Sequence, residues 1–553
     1  MENIYKILNK KLENILHQLN YADISIVVRN SRYRQFQVDS LISYAHKTNQ
    51  NPMILSESLK AQMIYDDFFE NVLVTPPGFI NFDISRKSYS QLFSENEITV
   101  SLPQKKGKVI FDYGGPNIAK QLHIGHLRCA YLGQSLYNLT REYGISCISD
   151  IHLGDHGYNM GLVLAESEAE NIDLLRVKDS FNNNYFSIFR MYLSANKRSI
   201  DNIKFRERAN EISAEIFSNE YYLKRWNVLK DISKQYLKYL YDSINVTFDY
   251  WKGESDSLIY MDKVIKRVKK FCDTKVEDKT LFVKVSDSQK SLENYVPIRK
   301  KNGVYLYLAT ELATLYERVE KNLPTEIYYI VDYRQKSHFE NLFYLSNITK
   351  ITTDNIFQQH IIYGTVTDKN KPIKSRENTY WQVTRLLSDL KNDFNLKYLK
   401  ANCSLNPQKM DEYMHINIKW RILQISRNRN ISLAYEDFLL EKGNCGIYIL
   451  NTFYTVSSIA NETTLKEQYN FRDCDKQKIE IAKNILDFVQ VLEYTYYAKS
   501  FHIFCQYIYK LCKYFNMYLH SCKSNLQDEF LLFFSTYLKF ILKYSFNILS
   551  IKF

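Results

Sequence analysis

Glycine, proline and paired cysteines are scarce in this chain, and each scarcity excludes a class of protein. The sequence has 15 glycines and 9 prolines in 553 residues, which excludes a collagen-like or low-complexity chain. Its 9 cysteines are scattered without a Cys-x-x-Cys pair, so neither a common zinc site nor a disulfide scaffold is supported. We therefore expect reduced cysteines, as in a cytosolic protein.

Long uninterrupted apolar runs are also missing. The first residues, MENIYKILNKKLENIL, carry charge throughout, so no signal peptide is expected. The most apolar stretch, Phe530–Phe553, contains Lys539, Lys543 and Asn547, which predicts a buried terminal helix rather than a membrane span. The formal net charge of +12 fits a protein that meets a polyanion over part of its surface, or a lysine-rich composition without consequence for partners.

A strand–loop–helix–strand unit follows the first hundred residues, which have the pattern of a small α/β domain. The apolar run Lys108–Tyr113 predicts a buried strand, and Gly114–Pro116 must end it. Apolar residues at three- and four-residue spacings predict a helix from Gly125, and a second strand is predicted at Ile145–Ile148. Units of this kind form parallel sheets.

The same alternation returns near residue 305. Helices are predicted at Leu312–Asn322 and Ser337–Ile348, and strands at Glu326–Asp332 and His360–Val366. The parallel sheet is therefore predicted to be split by an insertion. From about residue 385 onward the pattern predicts almost only helices.

The segment His123–His126 lies where the first predicted strand has ended and its helix begins. Open parallel sheets bind ligands at the carboxyl ends of their strands, and a helix start offers free N–H groups and a partial positive charge. Gly125 permits close approach of a nucleotide, and the two histidines are suited to donate hydrogen bonds to phosphate oxygens. An isolated His-x-Gly-His often occurs by chance, but four of the 11 histidines lie between residues 123 and 156.

A short basic segment, Lys371–Arg376, follows the predicted strand His360–Val366. Its two lysines and its arginine are suited to surround a triphosphate with Mg²⁺. A basic loop is more often simply solvated, so this pattern gains weight only from the histidine motif.

Six strings in order along the chain resemble those of the arginyl-tRNA synthetase family, a branch of the class I aminoacyl-tRNA synthetases. They are Asp112–Arg128, with a Pro-Asn-x-Ala-Lys lead into His-x-Gly-His, Gly154–Gly161, Phe248–Ser255, Asn302–Ala313, Tyr333–His338 and Lys371–Arg376. Gly78–Phe82 resembles the end of the family's N-terminal domain, and the C-terminal helices resemble its anticodon-binding domain. The resemblance covers nearly the whole chain.

The resemblance implies three domains. A small α/β N-terminal domain that contacts tRNA would span residues 1–105. A Rossmann-type catalytic domain of class I, with a parallel sheet and an insertion at about 162–300, would span 106–385, and an all-α anticodon-binding domain would span 386–553. The implied reaction is ATP-dependent activation of L-arginine to arginyl-adenylate and transfer to the 3′ end of tRNA(Arg), by a cytoplasmic monomer that has no structural metal and does not enter a membrane.

The resemblance also implies roles for individual residues. The implied catalytic residues are His123, Gly125, His126, Lys120, Lys374 and Arg376. The implied arginine-binding residues are Gly115, Pro116, Asn117, His126, Tyr307, Glu311 and Gln335. The implied ATP-binding residues are His123, His126, Gly154, Asp155, Lys371 and Lys374, with Mg²⁺ accompanying ATP and no protein metal ligand. A carboxylate such as Glu311 suits a guanidinium, although a solvated helix charge is the alternative.

Several positions depart from the family pattern. Gly114 and Gly115 stand where the family usually has Ser or Ala, Glu311 replaces Asp, and His156 replaces Trp. Three interpretations stay open: a fast-evolving housekeeping enzyme, a specialised paralogue that resists an inhibitor or serves another pathway, and a non-catalytic tRNA-binding protein. Retention of both histidines and of the Lys371–Arg376 pattern argues against the third.

Overall fold

The computed structural model describes residues 1–21, 24–94, 98–176, 181–285, 294–368, 371–372, 381–400, 406–461, 469–522 and 527–552. Over these residues the chain separates into two compact units. Unit 1 comprises Met1–Pro103 and Glu441–Phe546, and unit 2 comprises Gln104–Leu440 and Asn547–Phe553. The predicted boundary between residues 385 and 386 lies within the sequence of unit 2.

The N-terminal part of unit 1 is an antiparallel sheet with helices packed on it. Its elements are α1 (Ile4–Gln18), β1 (Val28–Asn30), β2 (Phe36–Val38), α2 (Ser40–Lys47), α3 (Pro52–Met63), β3 (Phe69–Thr75), β4 (Phe79–Ile84) and α4 (Arg86–Leu92). The strands lie in the order β1–β2–β4–β3. Buried aromatic rings join the sheet to α1: the Phe36 centroid lies 5.7 Å from that of Phe82 and 5.6 Å from that of Tyr5.

Unit 2 is built around a parallel sheet. Its elements are β5 (Lys108–Asp112), α5 (Ile124–Arg141), β6 (Ser146–Leu153), α6 (Tyr158–Ala169), α7 (Phe181–Asp201), α8 (Ile203–Glu215), α9 (Glu220–Ser243), β7 (Tyr250–Gly253), α10 (Met261–Phe271), β8 (Thr274–Glu277), β9 (Thr280–Val285), β10 (Asn294–Arg299), α11 (Tyr307–Asn322), β11 (Glu326–Asp332), α12 (Lys336–Ile348), β12 (Phe357–Tyr363), β13 (Val366–Asp368), β14 (Lys371–Pro372), α13 (Val383–Lys400), α14 (Pro407–Leu423) and β15 (Ile431–Leu433). The main sheet has the order β12–β11–β5–β6–β7, and each neighbouring pair is parallel. The strand order reverses at β5, so ligands are expected beyond the carboxyl ends of β5 and β11.

The predicted strand–helix–strand unit is confirmed as β5, α5 and β6, with one informative difference. Strand β6 continues to Leu153, well past the predicted end at Ile148. Asp150 and His152 interrupt the apolar pattern of this strand, yet both side chains are buried. The extension therefore carries polar side chains to the carboxyl edge of the sheet.

The main sheet takes an edge strand, β7, from the segment predicted to be an insertion. Strand β7 pairs with the end of β6, from Asp150 opposite Tyr250 to Leu153 opposite Gly253. Around it, α7, α8 and α9 pack with α6 and with each other, and β8 to β10 form an antiparallel sheet. Because β7 ends level with β6, the residues after Gly253 lie at the ligand-binding edge of the main sheet.

The C-terminal part of unit 1 is helical and packs on the N-terminal part of the same unit. Its helices are α15 (Gly446–Asn461), α16 (Lys476–Leu486), α17 (Phe488–Ala498), α18 (His502–Ser521) and α19 (Glu529–Ile548). The Tyr5 hydroxyl donates to Asp487 Oδ1 at 2.9 Å, and Lys6 Nζ lies 2.6 Å from Glu493 Oε1. Unit 1 is thus assembled from both ends of the sequence.

The last residues of the chain are held within unit 2 by a buried lysine. Lys419 Nζ donates to the carbonyl oxygen of Ser550 at 2.6 Å and to that of Ile244 at 3.3 Å, and it lies 4.7 Å from the centroid of the Tyr131 ring. Burial lowers the pKa of Lys419 to about 7. Within the described part of the chain, no helix combines the length and the apolar character that a membrane crossing requires.

Candidate active site

The His123–His126 turn is fixed by hydrogen bonds from its own backbone. The Gly125 N–H donates to His123 Nδ1 at 3.1 Å, and the His123 N–H donates to His126 Nδ1 at 3.0 Å. The ring of His123 lies against the first turn of α5. A Cβ added at Gly125 would be only 2.8 Å from the Cε1 atom of this ring. Glycine at this position therefore makes room for the imidazole, and its approach to a nucleotide stays a prediction.

Both imidazoles are neutral at physiological pH. Burial lowers the pKa of His123 to about 2, and burial likewise lowers the pKa of His126 to about 4. Because Nδ1 accepts a hydrogen bond in each ring, the proton of each neutral ring belongs on Nε2. The pair thus presents N–H donors at the start of a helix, where an anion is favoured.

The chain returns to the histidine motif after the basic segment. The Ile124 N–H donates to the Trp381 carbonyl at 3.0 Å, and the Val383 N–H donates to the Leu122 carbonyl at 2.9 Å. Of the predicted basic residues, Lys371 lies in β14, where its backbone pairs with Asp368. Lys374 and Arg376 lie outside the described residues, and their assignment to ATP and catalysis stays a prediction.

The loop after β5 packs directly on the end of β6. A Cβ at Gly115 would lie 2.1 Å from the His152 carbonyl oxygen, and a Cβ at Gly154 would lie 1.9 Å from Asn117 Oδ1. The Gly154 N–H donates to the Pro116 carbonyl at 3.0 Å. The presence of glycine at position 115, where the family usually has Ser or Ala, therefore has a steric reason. Gly115 and Asn117 are exposed at the edge where substrate is expected.

Buried charges line the carboxyl ends of β5 and β6. Arg318 on α11 forms ion pairs with Asp112 at 2.7 Å and with Asp150 at 2.9 Å. Next to them, His152 Nε2 lies 3.5 Å from Glu311 Oε1. Each of these five residues is less than one-tenth exposed, so the charges depend on each other rather than on water.

Glu311 is 2% exposed, which excludes the interpretation of this residue as a solvated helix charge. Burial would raise the pKa of Glu311, but His152, His338 and Arg318 hold it below its usual value. For His152, burial would lower the pKa, but Glu311 and Asp112 raise it above the ordinary histidine value. Burial and the charge of Glu311 raise the pKa of Tyr307 well above its usual range, which fits a hydroxyl facing this carboxylate.

Glu254 is a member of this cluster to which the sequence assigned no role. It begins a short 3-10 helix, Glu254–Tyr260, directly after β7. Burial, assisted by Glu311 and Asp155 and opposed by His152, raises the pKa of Glu254 to about 8. Glu254 lies in the family-like string Phe248–Ser255, which could have pointed to it. The sequence did not show that the short strand β7 ends at the pocket.

Asp155 is fully buried and joins two of the family-like strings. Its carboxylate accepts hydrogen bonds from the Ser255 N–H at 2.8 Å and the Ser255 hydroxyl at 2.6 Å, and Lys230 Nζ lies 2.9 Å away. A Cβ at Gly253 would lie 2.4 Å from Asp155 Oδ2. These contacts give Asp155 a role inside the protein, and its contact with ATP stays a prediction.

The remaining predicted residues lie around the same edge. The Tyr307 ring stacks on His338 at a centroid distance of 4.3 Å. Gln335 is exposed in the turn Tyr333–Gln335 that follows β11, and Lys120 Nζ lies 4.9 Å from the Tyr192 ring centroid. Among the described residues, no group of three His, Cys, Asp or Glu side chains is arranged to hold a metal ion.

A parallel sheet that reverses its order at β5, with a His-x-Gly-His turn opening the next helix, defines the catalytic unit of a class I aminoacyl-tRNA synthetase. Residues 89–420 match the family model described as "tRNA synthetases class I (R), catalytic domain". Residues 2–84 match the arginyl-tRNA synthetase N-terminal domain, and residues 451–553 match the DALR anticodon-binding domain. The chain belongs to the arginyl-tRNA synthetase family and is an aminoacyl-tRNA ligase.

Known relatives agree over nearly the full length. The chain is 29% identical to an arginine–tRNA ligase of Alkaliphilus oremlandii, over 96% of this chain and 94% of that protein. It is 28% identical to one of Francisella tularensis, over 95% and 94%. The arginyl-tRNA synthetase structures of Plasmodium falciparum and Thermus thermophilus share its fold, with TM-scores of 0.79 and 0.78, identities of 22% and 15%, and coverage of at least 99% of each chain.

Proposed function

We propose that this chain ligates L-arginine to the 3′ end of tRNA(Arg), with arginine beside Glu311 and Glu254 and ATP beside the His123–His126 turn. The observation that carries this proposal is the excess of carboxyl groups over cations at the carboxyl edge of the sheet. Asp112 and Asp150 share one cation, Arg318, and Glu254 and Glu311 share a single histidine. A ligand that brings a permanent cation would complete the site.

Arginine satisfies this requirement through its guanidinium. The group is planar, always charged and has five N–H donors, which suit two carboxylates and the hydroxyl of Tyr307. The raised pKa of Glu254, about 8, supports the same reading, because an added cation would favour its ionised form. Gly115, Pro116 and Asn117 would hold the arginine backbone, and Gln335 would complete the pocket.

Activation of arginine follows without a protein nucleophile. The arginine carboxylate attacks the α-phosphorus of ATP, and pyrophosphate leaves. The Nε2–H groups of His123 and His126 donate to phosphate oxygens as charge develops, and the start of α5 stabilises the same charge. Gly154 would border the nucleotide. Lys120, Lys371, Lys374 and Arg376 would contribute positive charge.

Magnesium is proposed only as a companion of ATP. No set of acidic or histidine ligands for an ion of its own is present among the described residues. The triphosphate itself supplies the oxygen ligands that Mg²⁺ prefers.

In the transfer step, a terminal ribose hydroxyl of tRNA attacks the adenylate carbonyl and AMP leaves. Holding the two reactants in the correct geometry accelerates this step without a protein nucleophile. The family generally requires bound tRNA for the first step too, and we propose the same here.

We also propose a cytoplasmic monomer. No disulfide joins the cysteines that the structure describes, which is compatible with a reducing compartment.

Aminoacylation of total tRNA with each of several labelled amino acids, with and without ATP, tests the proposal. We expect charging by arginine alone, and only with ATP. Charging by another amino acid would indicate a paralogue in which Gly115 and Glu311, which depart from the family pattern, change the specificity. Binding of tRNA without any charging would overturn the proposal in favour of a non-catalytic tRNA-binding protein.

A further inference from the structure

His152 and Glu311 form an ion pair inside the pocket assigned to arginine. The distance from His152 Nε2 to Glu311 Oε1 is 3.5 Å, and the two residues are 7% and 2% exposed. Within the described residues, no hydrogen-bond partner is found for either ring nitrogen of His152 or for the Oε2 atom of Glu311. The pair is therefore held by charge, and its partners can change without loss of a well-formed hydrogen bond.

The surroundings leave His152 as the cation available to Glu311. The charged and titratable groups that face the pair, from β5, β6, α11, α12 and the turn after β7, are Asp112, Asp150, Tyr307, Arg318, His338 and Glu254. Arg318 is already shared by Asp112 and Asp150. His338 also faces Glu311, but burial lowers the pKa of this ring, whereas the pKa of His152 is raised, so His152 holds a proton more readily than His338 does.

We propose that His152 is the counter-ion that Glu311 holds until arginine binds, and that the guanidinium then replaces it while the proton of His152 leaves to solvent. This inference rests on the proposed function, because it takes the arginine pocket as given. A guanidinium stays protonated in proteins, whereas an imidazole can lose its proton near neutral pH. When both compete for one buried carboxylate, the imidazole gives up its charge.

The exchange makes His152 a positioning and specificity-determining residue for arginine. Before substrate binds, it keeps Glu311 ionised in a pocket that would otherwise favour the protonated acid. A ligand with a neutral side chain of the same shape, such as citrulline, brings no charge to replace the imidazolium. The ion pair therefore opposes binding of neutral analogues, whereas the cationic side chain of arginine can replace the imidazolium.

Proton release on arginine binding gives the first test. Calorimetric titration of the whole protein with L-arginine, between pH 6.5 and 8 in buffers of different ionisation enthalpy, measures the number of protons released. Glu254 will contribute, because its pKa is about 8 in the free protein. The E254Q variant removes that contribution, and we expect it still to release up to about one proton per arginine. Binding of arginine by E254Q, seen as heat of binding, without release of a proton would overturn the inference.

The Michaelis constant for arginine gives the second test. Protonated His152 competes with arginine, so this constant should rise as pH falls below the pKa of His152, by up to about tenfold per pH unit. In the E254Q background, which removes the contribution of Glu254, H152Q should lose that dependence, while the constant for ATP keeps its pH profile. The control is H360Q, because His360 Nε2 bonds to the Val331 carbonyl at 3.0 Å and does not face Glu311.

The outcomes separate this inference from the proposed function. A merely structural His152 would lower the melting temperature or kcat of H152Q and leave the pH slope of the arginine constant unchanged, which would overturn the exchange alone. If H152Q does not fold, the E254Q titration decides. Failure to bind arginine or charge tRNA with it would overturn the proposed function and this inference together.

Discussion

Neutralising Glu311 while keeping its shape isolates the charge that the arginine pocket offers. Glu311 is 2% exposed, and removing one partner of a buried charge pair costs about 3–5 kcal/mol. Glu254 would remain beside the guanidinium, and His152 can become neutral in the variant, so the lower end applies. At about 1.4 kcal/mol per tenfold, Glu311→Gln should raise the Michaelis constant for arginine by about 100-fold.

The assay is steady-state aminoacylation with arginine and ATP varied in turn. The constant for ATP should change by less than about threefold, because the carboxylate recognises the guanidinium and not the nucleotide. Glu317→Gln is the matched control: Glu317 is a buried glutamate on the same helix, paired with Lys252 and Lys321 at 2.8 Å each. Equal effects of Glu311→Gln on both substrates, or an equal effect of Glu317→Gln, would refute the reasoning.

Three other substitutions have outcomes that the structure specifies. His126→Ala should lower kcat for aminoacylation by about 100-fold or more, since it removes a phosphate donor, and a loss under tenfold would contradict that role. Asp155→Asn should lower the free energy of unfolding in urea by about 3 kcal/mol, because Lys230 and Ser255 lose a buried partner. A raised Michaelis constant for ATP in the folded Asp155→Asn variant would instead indicate direct ATP contact. Lys419→Met should remove a rise in stability between pH 7 and 10 of up to about 1.4 kcal/mol per unit. The pKa of Lys419 is about 7 when folded, so the unfolded chain binds more protons over that range; identical pH profiles of unfolding would contradict this.

Elements with a strong local pattern were predictable from the sequence. Strand β11 is found at the predicted Glu326–Asp332, because its residues form one apolar run between polar ends. Strands β6 and β7 were harder, because Asp150 and His152 break the apolar run and Tyr250–Gly253 has no periodicity. The buried polar side chains of β6, Asp150 and His152, are paired with Arg318 and Glu311 on the distant helix α11, and no local pattern reports such pairing.

The same limit applies to the candidate site. The histidine turn is a local structure, so its sequence predicts both the helix start and the anion-binding chemistry. Glu254, by contrast, reaches the pocket through the pairing of β7 with β6, a contact between segments about a hundred residues apart in sequence. The pairing of His152 with Glu311 depends on the parallel sheet and on α11 together. Tertiary structure, rather than any motif, creates this charge exchange.

The assembly of unit 1 from both ends of the sequence has a consequence for biosynthesis. Its N-terminal part ends at Pro103, whereas the helices that pack on Tyr5 and Lys6 belong to the segment that begins at Glu441. At ribosomal speeds of about 5–20 residues per second, the first part emerges on the order of 20–70 s before its partner. During that interval the face that will meet α16 and α17 is uncovered, and unit 2 has time to fold first. The N-terminal part of unit 1 is therefore exposed to aggregation and chaperone binding until that later segment emerges.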